Sequence, residues 1–423
     1  MGIQRFNQLE GVRGVAAIVV VLYHFLLAFY ALAFLGPTGA SVQHMRLEDN
    51  LYGNPIMALL SGSFAVAVFF VLSGFVLSIG FFQSQKLEVV KKLAAKRYLR
   101  LMLPALASVI LCFIIMVAGI SDLHQVAAIS QSGWLQSTWN FVPNLFEAVQ
   151  GGIAGIFVEE GNGYNNVLWT MMTEFMGSFL VFAFLALFGK VKARGVVYAF
   201  LLFLTFNSWF LPFVIGTIIA DLYVHHRSLS RVRLNIPVTM AFVGAALFFG
   251  GYPSGTTAGT VYDVLTLHSV AVDWKMLSLT VGATLLVVAV MMSAQLSRFF
   301  SLRPISILGR YTFSLYLVHL AVLYTFTMAM FLWFHTYFGL GFNISVVYAI
   351  TATIPILWVA TVLFEKYIDA PSIKVASYVG AIILGYQEAP KFKDVLSRGY
   401  GQLKARLAVY KNGRMTSLKE PEL

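Results

Sequence analysis

Three ionisable residues stand inside runs that are otherwise apolar. His24 falls in LEGVRGVAAIVVVLYHF, residues 9–25, eleven positions after Arg13. On an α-helix eleven residues make close to three turns, so both side chains share one face, roughly 16 Å apart along the axis. Glu174 falls in NVLWTMMTEFMGSF and His319 in GRYTFSLYLVHLAVLYTF, with Tyr316 one turn before it. By the helical rise, Glu174 lies about 12 Å and His319 about 13 Å into their segments, near the middle of a hydrocarbon core about 30 Å thick. A lone histidine there is equally well read as an interior polar contact between helices. Two imidazoles and a carboxylate delivered to one depth by three helices point to a functional centre. A carboxylate beside an imidazole fixes the ring for taking a proton from a hydroxyl. A proton path through a transporter or flippase uses the same residue types, and the residues alone leave both open.

A second constellation is KKLAAKRYLRLMLP, residues 91–104. Arg97 and Arg100 are three apart and neighbours on one helical face, and paired guanidiniums suit bidentate recognition of phosphate. A basic loop on the cytoplasmic side of a membrane protein has the same composition, so spacing alone does not decide. The single cysteine, Cys112, lies in an apolar run; no disulfide and no metal site are expected.

The elements that must position these groups follow from composition. Hydrophobic residues make up 59% and charged residues 11% of the 423, against about 25% charged in soluble domains. The chain reads as an all-α, polytopic membrane protein. Spans of about twenty apolar residues are expected near 13–34, 62–84, 101–120, 166–188, 195–209, 210–224, 236–252, 276–293, 311–334 and 344–364, the fifth and sixth forming a tight hairpin around Asn207-Ser208. With ten spans and both termini cytoplasmic, all of the 29 Lys and Arg except Arg46 and Lys275 fall on the inner side, as the positive-inside rule asks. The net charge of +11 is then a topology signal, and no nucleic-acid partner is needed. Trp134 and Trp139 lie in a long outer segment, 121–165, where aromatics serve as an interfacial belt or stack on a sugar ring. Residues 1–374 are expected to form the membrane domain and 375–423 a basic, amphipathic cytoplasmic tail lying on anionic lipid.

Taken in order, five stretches resemble the integral-membrane acyltransferase 3 family. LEGVRGVAAIVVVLYH is similar to its first-helix signature, with Arg13 and His24 in the matching places, and FFVLSGF, around Ser73-Gly74, to its second-helix motif. KRYLRLMLP matches its basic pair followed by proline, WTMMTE its tryptophan-to-glutamate element ending at Glu174, and LGRYTFSLYLVH its late element ending at His319. Glu10 stands where that family more often has Asp, Met171 where Leu is usual, and Tyr367 where a proline often follows Glu365. The resemblance spans residues 9–371 and is to the stand-alone members, without a fused esterase-like domain. It implies transfer of an acyl group, most commonly acetyl, from cytoplasmic acetyl-CoA or another acyl-CoA to a hydroxyl of a carbohydrate or glycolipid, in the plasma (inner) membrane. On that reading Arg13, Arg97 and Arg100 hold the CoA phosphates. His24, oriented by Glu174, is the general base, and His319 and Tyr316 position the acyl group or stabilise the oxyanion.

Overall fold

The computed structural model describes residues 6–36, 42–159, 163–226, 233–265 and 272–385. Each of the ten expected segments is helical: α1 Asn7–Phe29, α2 Gly62–Ser84, α3 Leu87–Ala118, α4 Trp169–Leu187, α5 Arg194–Thr205, α6 Leu211–His225, α7 Ile236–Gly250, α8 Trp274–Met292, α9 Leu308–Val322 and α10 Phe342–Phe364, followed by α11 Ala370–Ile383. No β-strand occurs among the described residues, so the fold is all-α. Among the described residues seven helical stretches are long and apolar enough to cross a membrane: α1, α2, α3, α4 with its leading turn, α8, α9 extended to Arg303–Tyr337, and α10 with α11 as Phe342–Ile383. The other three, α5, α6 and α7, have 12, 15 and 15 residues. At 1.5 Å per residue they reach roughly 18 to 22 Å, short of the hydrocarbon core. Their ends are written locally. The Thr205 hydroxyl turns back on the Leu201 carbonyl (2.7 Å) where α5 stops, and proline in the first turn starts both α6 and α7, where its missing N–H costs nothing. Most of the expected tail, 386–423, lies outside the described residues.

α2 is the axis of the bundle, packed on α1, α4, α6 and α8. Its sequence is apolar on every side, which suits a helix surrounded by others. Ser61 starts it, accepting from the Phe64 N–H at 3.2 Å, an ordinary N-cap. Glycines set how closely its neighbours approach. A Cβ on Gly74 would strike the Phe213 carbonyl, and one on Gly216 the Val71 carbonyl, so α2 and α6 meet backbone to backbone. The adjoining Ser78 and Thr217 hydroxyls bond at 3.1 Å. Gly14 and Gly309 play the same part where α1 crosses α9.

Two further features place the site. α3 runs 32 residues, starting 14 positions before the expected span and carrying the whole basic stretch as helix. Its internal Pro104 cannot donate to the Arg100 carbonyl. The segment between α3 and α4 is not a loose loop. Short helices Leu123–Ser130, Gly133–Ser137 and Leu145–Gln150 are tied to α1 by Ser132, whose hydroxyl donates to the Leu27 carbonyl at 3.0 Å.

Candidate active site

Two cavities meet inside the bundle. The first, about 300 Å³, is lined by Arg13 of α1, Ser73 of α2, Arg97 and Arg100 of α3 and Glu174 of α4. The second, about 450 Å³, is lined by Tyr23 and His24 of α1, Ser63 of α2, Trp134, Asn166 and Trp169. Tyr316 of α9 and Val66 of α2 belong to both walls. Tyr316 is therefore the hinge of the arrangement. Its hydroxyl donates to the Val167 carbonyl and lies 2.7 Å from the Thr170 hydroxyl, which ties α9 to the start of α4.

His24 and His319 come together, as expected from their depths. His319 Nε2 is 3.2 Å from His24 Nδ1, although 295 residues separate them. Their remaining contacts fix the tautomers. His319 Nδ1 lies 3.1 Å from the Leu315 carbonyl, and His24 Nδ1 lies 2.9 Å from the Val20 carbonyl. A carbonyl only accepts, so both Nδ1 atoms carry the proton. The single His24 Nδ1–H is then shared between the Val20 carbonyl and the unprotonated His319 Nε2, and His24 Nε2 is left with a free lone pair. His24 lines the second cavity, with Trp134 at 5.5 Å between ring centroids. His319 is wholly buried and lines neither cavity.

Glu174 is elsewhere, and here the sequence expectation is corrected. Among the described residues no hydrogen bond joins it to His24. Its carboxylate pairs with Arg97 and accepts from Ser73 Oγ at 2.9 and 3.2 Å. Arg97 is also held by Ser178 Oγ at 2.8 Å, one turn beyond Glu174. The physical reason is geometric: charge attraction favours the guanidinium within reach, and α3 brings Arg97 onto α4 while α1 turns His24 toward the second cavity. The group that completes the imidazole dyad is His319.

The arginines are not free cations. Arg100 pairs with Asp369, and Arg310 with Glu365 at 2.8 Å. Both carboxylates sit on a π-helical turn, Glu365–Asp369, between α10 and α11, and such widened turns often mark functional regions. Arg13 has a looser partner in Glu10 at 3.5 Å. Asp369 lies in no motif, and Thr170, the second residue of the WTMMTE element, had no role assigned from the sequence. Asp221, near the end of α6, is buried and holds Arg194 at 2.6 and 2.8 Å and Tyr198 at 2.9 Å. Trp139 is structural, donating to the Tyr164 carbonyl at 2.9 Å, whereas Trp134 faces the cavity. Among the described residues no cluster of three His, Cys, Asp or Glu side chains is suited to a metal ion.

A membrane-embedded helical bundle with a cation-lined cavity, an aromatic-lined cavity that meets it at Tyr316, and an imidazole pair whose His24 lines the second has the parts of an intramembrane group-transfer enzyme. The chain belongs to the acyltransferase 3 family: the family model described as an acyltransferase domain matches residues 6–365. It is also 24% identical over 435 aligned positions to the O-acetyltransferase PaAT-1 of Phomopsis amygdali, covering 90% of this chain and 86% of that protein. No solved structure matches the chain. The protein is a multi-pass membrane acyltransferase, and a proton-driven transporter is no longer an equal reading of the histidines.

Proposed function

We propose that the enzyme moves an acyl group, acetyl in the simplest case, from acyl-CoA in the Arg-lined cavity to a hydroxyl of a carbohydrate or glycoconjugate in the Trp-lined cavity. The observation that carries this reading is the shared wall: Tyr316, with Val66, borders both cavities, and His24 borders the second. On the ten-span reading all Lys and Arg but Arg46 and Lys275 fall on one side, which supports a cytoplasmic N-terminus and an Arg-lined cavity open to the cytoplasmic acyl-CoA pool; the bundle then belongs in the plasma membrane.

In this reading Arg13, Arg97 and Arg100 bind the donor's phosphates, and Glu174 holds Arg97 in place rather than touching the imidazole. The thioester reaches the junction at Tyr316. His24 Nε2 takes the acceptor hydroxyl's proton as the oxygen attacks the thioester carbonyl carbon. His319 Nε2, accepting from Nδ1–H, stabilises the imidazolium that results, the part a carboxylate plays in a Ser-His-Asp triad. Tyr316, once its O–H leaves the Val167 carbonyl, donates to the oxyanion. The carbon–sulfur bond then breaks, the ester forms, and the imidazolium returns its proton to the CoA thiolate.

The test is transfer of label from radioactive acetyl-CoA in membrane vesicles carrying the protein. His24→Ala is expected to abolish transfer, and Arg97→Ala to weaken use of the donor. Folded variants with full activity would overturn the assignment.

A further inference from the structure

A third cavity, about 270 Å³, lies between α3 and α11 and is lined by Lys92, Lys96, Ser377, Gly380 and Leu384. Lys92 and Lys96 are one turn apart on α3. Lys96 also precedes Arg97 directly and stands one turn before Arg100, so a single helix carries cations from this cavity into the Arg-lined one. α11 lies close over the lysine stem: a Cβ placed on Gly380 would meet the Lys96 Cβ at 3.4 Å, in ordinary contact.

The charges in the two cavities are balanced differently. Arg97 and Arg100 already have carboxylate partners in Glu174 and Asp369. Lys96 is half-buried, pairs with no carboxylate among the described residues, and has Arg97 and Arg100 as its charged neighbours. A cation held among like charges is a site for an anion. A lysine ammonium meets phosphate as a compact point charge with three donors.

Resting on the acyl-CoA reading above, we propose that Lys96, with Lys92, binds the 3′-phosphate monoester of the donor while its pyrophosphate lies against Arg97 and Arg100. One helical turn, about 5.4 Å, matches the span of a single ribose carrying phosphate groups at its 3′ and 5′ positions. The lysine cavity thus selects CoA from thioesters that lack the ribose phosphate. A lipid headgroup is the other source of a phosphate at a membrane edge, and the experiment separates the two.

Initial rates are measured in membranes carrying the full chain, with acetyl-CoA and with acetyl-3′-dephospho-CoA. The wild type is expected to show a KM roughly tenfold lower for acetyl-CoA, the size of one charge-assisted contact. Lys96→Gln is expected to remove that preference, and Lys96→Arg to keep it, which shows that the fold survives substitution there. Equal KM values for the two donors in the wild type would overturn the proposal without any variant. So would a Lys96→Gln protein that raises both KM values by the same factor, or one that changes only the anionic lipid retained on purification. A wild type that uses neither donor would overturn the acyl-CoA reading itself.

Discussion

Replacing His319 by alanine tests the reaction centre most directly. The imidazole accepts from His24 Nδ1–H at 3.2 Å and touches neither cavity, so its removal acts on the proton transfer and not on binding. When His24 takes the acceptor's proton, its ring becomes a cation in a buried place. A hydrogen bond to a charged group contributes about 1.5–3 kcal/mol, which converts to a loss in kcat of roughly 10- to 150-fold. The Val20 carbonyl, at 2.9 Å, remains to hold the ring, so activity is expected to fall without vanishing. His24→Ala removes the base itself and is expected to cost about 10²- to 10⁴-fold. The two residues act as one unit, so the double variant His24→Ala with His319→Ala is expected to be no slower than His24→Ala alone. The assay is label transfer from acetyl-CoA in membranes, with KM and kcat resolved and thermal unfolding in detergent as the measure of folding. His319→Gln keeps an acceptor oxygen and is expected to recover part of the rate. Additive losses in the double variant, or a raised donor KM with kcat intact in His319→Ala, would refute the dyad.

Further outcomes follow from the same contacts. Tyr316→Phe keeps the wall between the cavities but removes its donor, and kcat is expected to drop by roughly 10²-fold or more with KM for acetyl-CoA little changed. Asp369→Asn leaves Arg100 without its buried partner, so the unfolding temperature in detergent is expected to fall, by the equivalent of about 3–5 kcal/mol if nothing else compensates. Gly216→Leu drives a side chain into the Val71 carbonyl and is expected to lose at least about 1–3 kcal/mol by overpacking, seen as depleted folded protein in the membrane fraction. Glu48, outside the spans, is wholly buried, and burial raises its carboxyl above the ordinary value, against the pull of the His44 and Met45 N–H groups at 2.7 Å. A raised carboxyl binds its proton more tightly in the folded state, so its contribution is present below the ordinary value of about 4.5 and lost as pH rises through the raised one. Glu48→Gln is expected to flatten that part of the unfolding profile, and an unchanged slope would show that the burial is relieved elsewhere.

The linear chain by itself determined that this is an all-α membrane protein, where the helices run, and which polar residues have no business in them. Hydropathy and capping act over neighbouring residues, so runs such as Gly62–Ser84 and misfits such as His24, Glu174 and His319 stand out without a structure. The expected segment 195–209 ran a few residues past the end of α5 at Thr205, where the chain turns through the Asn207-Ser208 break that the sequence itself offers. Partner choice was not legible. Glu174 was the plausible mate for His24 by chemistry, and only the tertiary structure gave it to Arg97 and gave His24 to His319. Which side chains meet depends on how each helix is rotated about its axis and how closely it approaches the next. Those quantities are set by contacts such as Gly74 on Phe213, Gly216 on Val71 and Gly14 on Leu308, between residues far apart in the chain. The sequence supplied the reacting groups; the crossings of α1, α2, α6 and α9 decided which of them face each other.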